Sequence, residues 1–140
     1  MVVELNMKEN EKQNLYETFN AVIESIIKEK KGMKKYETLL NDFDARINMG
    51  LQISEDYYFW LNLVGKDGEF ELSRGRLDEC DLEIKAAPED LMYFSNGENS
   101  VLHMVLKKNQ FGDRKLRFSK GTTGYNLGLL LKLPKILVLD

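Results

Sequence analysis

Apolar positions change period twice along this chain, and each change marks a boundary. Leu15, Phe19, Val22, Ile23, Ile26 and Ile27 recur at helical spacing, with Lys, Glu and Asn between them. The pattern predicts a helix with one apolar stripe. "KEKKG" ends it, since its cations suit the negative C-terminal dipole, and Gly32 is expected to close the helix in the left-handed conformation. A second helix carries Met33, Tyr36, Leu39, Leu40 and Phe43. The period then drops to two. In "RINMGLQIS", Ile47, Met49, Leu51 and Ile53 share a face. In "DYYFWLNLVGKDGEFEL", Tyr57, Phe59, Leu61 and Leu63 point one way, and Tyr58, Trp60, Asn62 and Val64 the other. "GKDG" reads as a hairpin turn, after which Phe70 and Leu72 resume the alternation. "CDLEIKA" repeats it with Leu82, Ile84 and Ala86 facing in.

Helical spacing then returns. "AAPEDLMYFSNG" has Pro88 at a first helical position, Glu89 and Asp90 on the positive dipole, and Asn96-Gly97 as a stop. "NSVLHMVLKKN" is a short helix capped by Asn99 or Ser100. "FGDRKLRFSKG" holds a short strand with Leu116 and Phe118 on one face. Thr122 or Thr123 caps a closing helix, which Pro134 is expected to end or bend. The order α-α-β-β-β-β-α-α-β-α predicts an α+β fold with a mainly antiparallel sheet. It forms a single domain over residues 1–140, with helices in 1–44 and the sheet with its covering helices in 45–140. There is no internal repeat or low-complexity linker.

The closing helix changes the picture. From Leu127 to Leu139 nearly every position is apolar, and no polar face is left for water. Each such side chain left in solvent forgoes about 1.5–3 kcal/mol. A tight core, an apolar ligand cavity or a protein partner can each supply the missing cover, and the pattern alone leaves all three open.

Composition narrows the setting. The chain has 140 residues, 43% of them hydrophobic and 31% charged, with a formal net charge of −3. That balance argues against nucleic acid as the main partner. One cysteine, Cys80, allows no internal disulfide and fits a reducing compartment. "MVVELNMKENEK" shows no secretory pattern, and no apolar run reaches the length of a membrane span. Charge is uneven. Lys107–Lys120 holds six basic residues against Asp113 alone, while Ser54–Glu98 holds twelve acids against four bases. A solvated face accounts for either block, and the basic one also suits an anionic surface.

Nothing makes catalysis the leading expectation. The single histidine, His103, sits among apolar neighbours with no acid or nucleophile beside it in sequence, and one His with one Cys cannot build a typical zinc site. Asp81 and Glu83 share a strand face opposite Leu82 and Ile84, which reads as a wet face more readily than as an acid/base pair. "GKDG" and "GTTG" lack the pattern of a phosphate-binding loop. No cofactor or metal is expected.

Three stretches, in order, carry a resemblance. "YYFWLNLVGKDGEFEL" is similar to a central hairpin, "CDLEIKAAPEDLMYFSNGENS" to a strand followed by a Pro-capped helix, and "KLRFSKGTTGYNLGLLLKL" to a short strand, Gly turn and closing apolar helix. Together, over about residues 45–137, they resemble the sterol carrier protein 2 family. The N-terminal helices stand where that family has its first helix, with one extra. The resemblance implies a five-stranded sheet and helices enclosing an apolar tunnel, holding a sterol, acyl chain or other lipid without chemical conversion. The expected ligand-binding residues are Phe59, Leu61 and Leu63 from the hairpin, Leu91 and Phe94 from the helix after Pro88, Val101, Met104 and Val105 from the next helix, and Leu127, Leu130 and Leu131 from the last.

Three features depart from that pattern. The chain ends "VLD" rather than in a peroxisomal tripeptide, so a cytoplasmic protein is expected; "LKKNQFGDRK" is long; and the N-terminal region carries the additional helix. The expectation is thus a non-catalytic lipid carrier, touching an anionic membrane transiently through Lys107–Lys120. The competing expectations are an interaction or homodimerisation module, and an accessory domain presenting lipid to a separate enzyme.

Overall fold

The computed structural model describes residues 7–120 and 127–138, with side chains described over 7–119 and 132–138. Helix α1 (Glu9–Lys31) is followed by a short 3₁₀ turn (Lys34–Tyr36) and α2 (Glu37–Asp42). Strands β1 (Ala45–Gln52), β2 (Tyr58–Lys66), β3 (Glu69–Arg74) and β4 (Leu82–Ala86) come next. Then come α3 (Pro88–Ser95), α4 (Val101–Leu106), β5 (Arg117–Lys120) and α5 (Leu127–Leu137). One five-stranded sheet has the order β3-β2-β1-β4-β5. Every pairing is antiparallel except β1 with β4, which is parallel. The parallel pair needs a crossover to bring the chain back alongside β1, and β2, β3 and the 75–81 loop provide it.

The register explains the core. Ile47 lies opposite Leu63 and Leu82, Met49 opposite Leu61 and Ile84, and Leu51 opposite Phe59 and Ala86. All of these are buried on one face. The side chains of Phe19, Ile23 and Ile27 from α1, Leu91 and Phe94 from α3, Met104 from α4 and Leu133, Ile136 and Leu137 from α5 complete the same cluster. The hairpin turn is a two-residue loop in which Asp67 and Gly68 have φ of 54° and 81°, as a tight turn matched to strand twist requires. Pro88 opens α3, and the Ser100 hydroxyl caps α4 by accepting from the His103 N–H at 3.1 Å.

Four expectations change in detail. Gly32 adopts the right-handed conformation, with φ −77°, and its N–H reaches back to the Glu29 carbonyl. The second helix is split, with Tyr36 in the 3₁₀ turn and Phe43 beyond α2. Pro134 lies inside α5, which runs on to Leu137. At the end of that helix, where the last carbonyls have no helical donors, the buried Lys30 ammonium donates to the Lys135 carbonyl at 2.7 Å. Phe118 shares the inner side of the sheet with Ile84 but is 37% exposed, whereas Leu116 is buried. Phe118 stands on the edge strand, where no further strand shields it. The caps expected at Thr122 or Thr123 lie outside the described residues.

Candidate functional site

On the helix-covered face, Ile84 from β4, Leu91 and Phe94 from α3, Val101 and Met104 from α4, Leu116 before β5 and Leu133 from α5 surround one cavity. Each element presents these residues for a local reason. Strand alternation turns Ile84 inward. The three-residue spacing of Leu91 and Phe94, and of Val101 and Met104, puts each pair on one side of its helix. The lining is wholly apolar, and the space left for the centre of a water-sized sphere is about 10 Å³. That is room for roughly one solvent molecule, which an apolar wall does not hold. The closed pocket is therefore a dry gap, much smaller in volume than a hydrocarbon chain.

Four of the residues expected to bind ligand, Leu91, Phe94, Val101 and Met104, meet at this cavity. Phe59, Leu61 and Leu63 belong to the same core but do not line it, and Val105 packs partly buried against that core. The side chains of Leu127, Leu130 and Leu131 lie outside the described ones. Ile84, Leu116 and Leu133 complete the lining without having been singled out as site residues. Their signals were present in the "CDLEIKA" alternation, the "KLRF" strand and the closing apolar run.

The opposite face of the sheet departs from the wet surface expected for it. Glu83 takes a two-pronged ion pair from Arg76, at 2.9 and 2.7 Å, and accepts from Asn48 Nδ2 at 3.3 Å. Asn48 is 1% exposed and exchanges bonds with Leu77, donating to its carbonyl at 3.0 Å and accepting from its N–H at 2.8 Å. Asp81 accepts from the Arg46 N–H at 2.8 Å. Both candidate acids are thus engaged in holding the 75–81 loop to the sheet. A second knot centres on buried Gln52. It donates to Asp113 at 2.8 Å and accepts from Asn109 and from Arg117, each at 2.8 Å. Arg117 also donates to the Tyr58 hydroxyl at 2.6 Å. This knot fastens the long 107–116 loop down, and no local sequence signal announced it.

Asp90, in the first turn of α3, is buried, and desolvation pushes its carboxyl above the usual range despite Lys115 at 3.8 Å. His103 is half-buried on α4. Among the described residues, no group of three or more His, Cys, Asp and Glu side chains is placed to hold a metal ion. No described helix is long and apolar enough to cross a membrane.

This arrangement of sheet and helices has counterparts among solved structures. The solution structure of the sterol carrier protein domain 2 of Helicoverpa armigera aligns with a TM-score of 0.59 at 12% identity, over 82% of this chain and 81% of that one. A crystal structure of sterol carrier protein 2 aligns with a TM-score of 0.54 at 13% identity, over 84% of this chain and 94% of that one. The sequence matches no protein-family model and no curated protein. The chain has a sterol-carrier-like α+β fold, as the sequence resemblance implied.

Proposed function

We propose that this protein is a non-catalytic carrier that takes the apolar part of a lipid, such as a sterol or acyl chain, between its sheet and closing helix. One observation carries the reading: a fully apolar cavity lies where β4, α3, α4 and α5 meet, in a fold shared with proteins named as sterol carriers. The mechanism is desolvation. Each buried methylene contributes about 0.8 kcal/mol, and a tail entering the dry gap displaces no bound water. The cavity must widen for this, and α5, which contributes Leu133 to the wall, is the element we assign to move. The carrier works in a cytoplasmic, reducing setting, in keeping with a single buried cysteine, and its basic Lys107–Lys120 segment contacts anionic membrane during transfer.

Titration with a fluorescent fatty acid tests this, with native mass spectrometry and solvent extraction of the purified protein alongside. Saturable uptake that is lost in Leu133→Phe, with the protein still folded and its unfolding midpoint lowered only by the overpacking of about 1–3 kcal/mol, is the expected outcome. An empty protein with no saturable uptake ends the carrier reading.

The smallness of the closed cavity favours a second reading, in which the fold is an interaction module. An open groove between α1 and α3, lined by Val22, Ile26 and Met92, would then seat a second copy or an enzyme to which lipid is presented. Sedimentation of a tight dimer without lipid uptake would select it.

A further inference from the structure

Helix α4 is apolar on two sides. Met104 points into the core and is fully buried, whereas Leu102 and Leu106 are 68% and 57% exposed. Their four-residue spacing stacks them one above the other on a single side of the helix. Isolated exposed leucines are ordinary, but a stacked pair that runs nearly the length of a six-residue helix makes a small patch.

The surroundings of that patch are cationic. Lys107 and Lys108 follow Leu106 directly, are exposed, and form no ion pair among the described residues. Arg114 donates to the Leu106 carbonyl, and a bridge between Lys108 and Arg114 folds the loop back so that these cations gather beside Leu106. Two acids of this region are already engaged: Asp113 accepts from Gln52 and lies 4.0 Å from Arg117, and Asp90 faces Lys115. The Gln52 knot holds this basic loop in place.

We infer that the exposed side of α4 is the element that enters an anionic lipid surface, with Leu102 and Leu106 inserting among the acyl chains and Lys107, Lys108 and Arg114 meeting the headgroups. Two leucines are too few for a stable protein interface, which buries about 1,200–2,000 Å². A bilayer boundary accepts a small apolar wedge ringed by cations. The inference deepens the membrane contact in the carrier reading by naming the residues that enter the bilayer. It also places the contact on α4, which lines the cavity on its other side through Val101 and Met104.

The test is co-sedimentation of the full chain with phosphatidylcholine vesicles, with and without phosphatidylserine. Binding is expected only with the anionic lipid, and it weakens as salt rises. Leu102→Ser with Leu106→Ser is expected to abolish measurable binding while leaving the unfolding midpoint unchanged. Lys107→Ala with Lys108→Ala is expected to weaken binding roughly 30-fold. Both variants are expected to retain fatty-acid uptake in vesicle-free solution. The inference is overturned if the native chain ignores anionic vesicles, if it binds neutral ones equally, if the leucine variant binds normally, or if that variant unfolds earlier because its leucines are covered within the fold. Leucine-dependent binding without fatty-acid uptake would remove the carrier reading and leave this docking surface standing.

Discussion

The two faces of the sheet are held by different physics. The inner face is a mosaic of Ile47, Met49, Leu51, Phe59, Leu61, Leu63, Leu82 and Ile84, all buried and non-directional in their attraction. The outer face is held by oriented bonds that tie Asn48, Asn62 and Glu83 to the loop after β3, and Gln52 to the 107–116 loop and to Arg117 of β5. Apolar packing is non-directional and tolerates slight repacking, as the proposed carrier reading requires of a wall that widens around a tail. A hydrogen-bonded knot has one satisfactory geometry, which suits loops that must stay where they are. The comparison assigns pliability to one side and fixed placement to the other.

The sharpest way to break this contrast is to cut into the inner face. Leu61→Ala removes a fully buried side chain at the sheet's centre and is expected to cost about 2–5 kcal/mol in chemical denaturation. On the outer face, Asn48→Ala leaves the Leu77 N–H and carbonyl without their partner. About 1–3 kcal/mol is expected, and hydrogen exchange should rise in the 75–81 loop while the inner core stays protected. A loss as large as that of Leu61→Ala, with exchange spreading through β2, would mean that the two faces act as one unit.

A third substitution probes how tightly the aromatic cover sits. A Cβ on Gly50 would come within 2.9 Å of the Trp60 ring, which is also stacked beneath Arg76 at 4.3 Å. Gly50→Ala is expected to cost about 1 kcal/mol or more by overpacking, and to shift Trp60 fluorescence without altering fatty-acid uptake.

The smallest effect is electrostatic. Burial raises the Asp90 pKa, so the folded state holds that proton more tightly than the unfolded chain. Ionised Asp90 therefore opposes folding at neutral pH. This cost disappears as pH falls below the raised pKa. Asp90→Asn is expected to unfold slightly later than the native chain at pH 7, with the advantage shrinking as the pH is lowered through that range. An advantage independent of pH would place its origin elsewhere.

Inner-face residues were legible because alternation is local. Phe59, Leu61 and Leu63 announce their shared direction within five residues, and "KDG" names its own turn. The cavity was half legible. Leu91, Phe94, Val101 and Met104 were among the eleven expected site residues, but how they approach Leu133 and Leu116 depends on how helices dock, which spacing does not encode. The outer knots were invisible for the same reason: Gln52 meets Arg117 across 65 positions and Asn48 meets Leu77 across 29. A lone Gln or Asn in a strand carries no sign of such a partner. The bond that seals the end of α5 was hidden likewise, since the Lys30 donor lies 105 positions from the Lys135 carbonyl.

That last bond joins the beginning of the fold to its end. During synthesis α1 is available while the carbonyl that receives its buried ammonium is still about a hundred residues from being made. Until α5 arrives, Lys30 has partners within the N-terminal half, among them the Tyr36 ring at 4.1 Å, but lacks the carbonyl that completes its burial, and the part of α1 that packs on α5 stays uncovered. Native assembly is thus tied to late events in translation, and a nascent chain halted before Leu133 should remain a client for chaperones rather than a smaller folded protein.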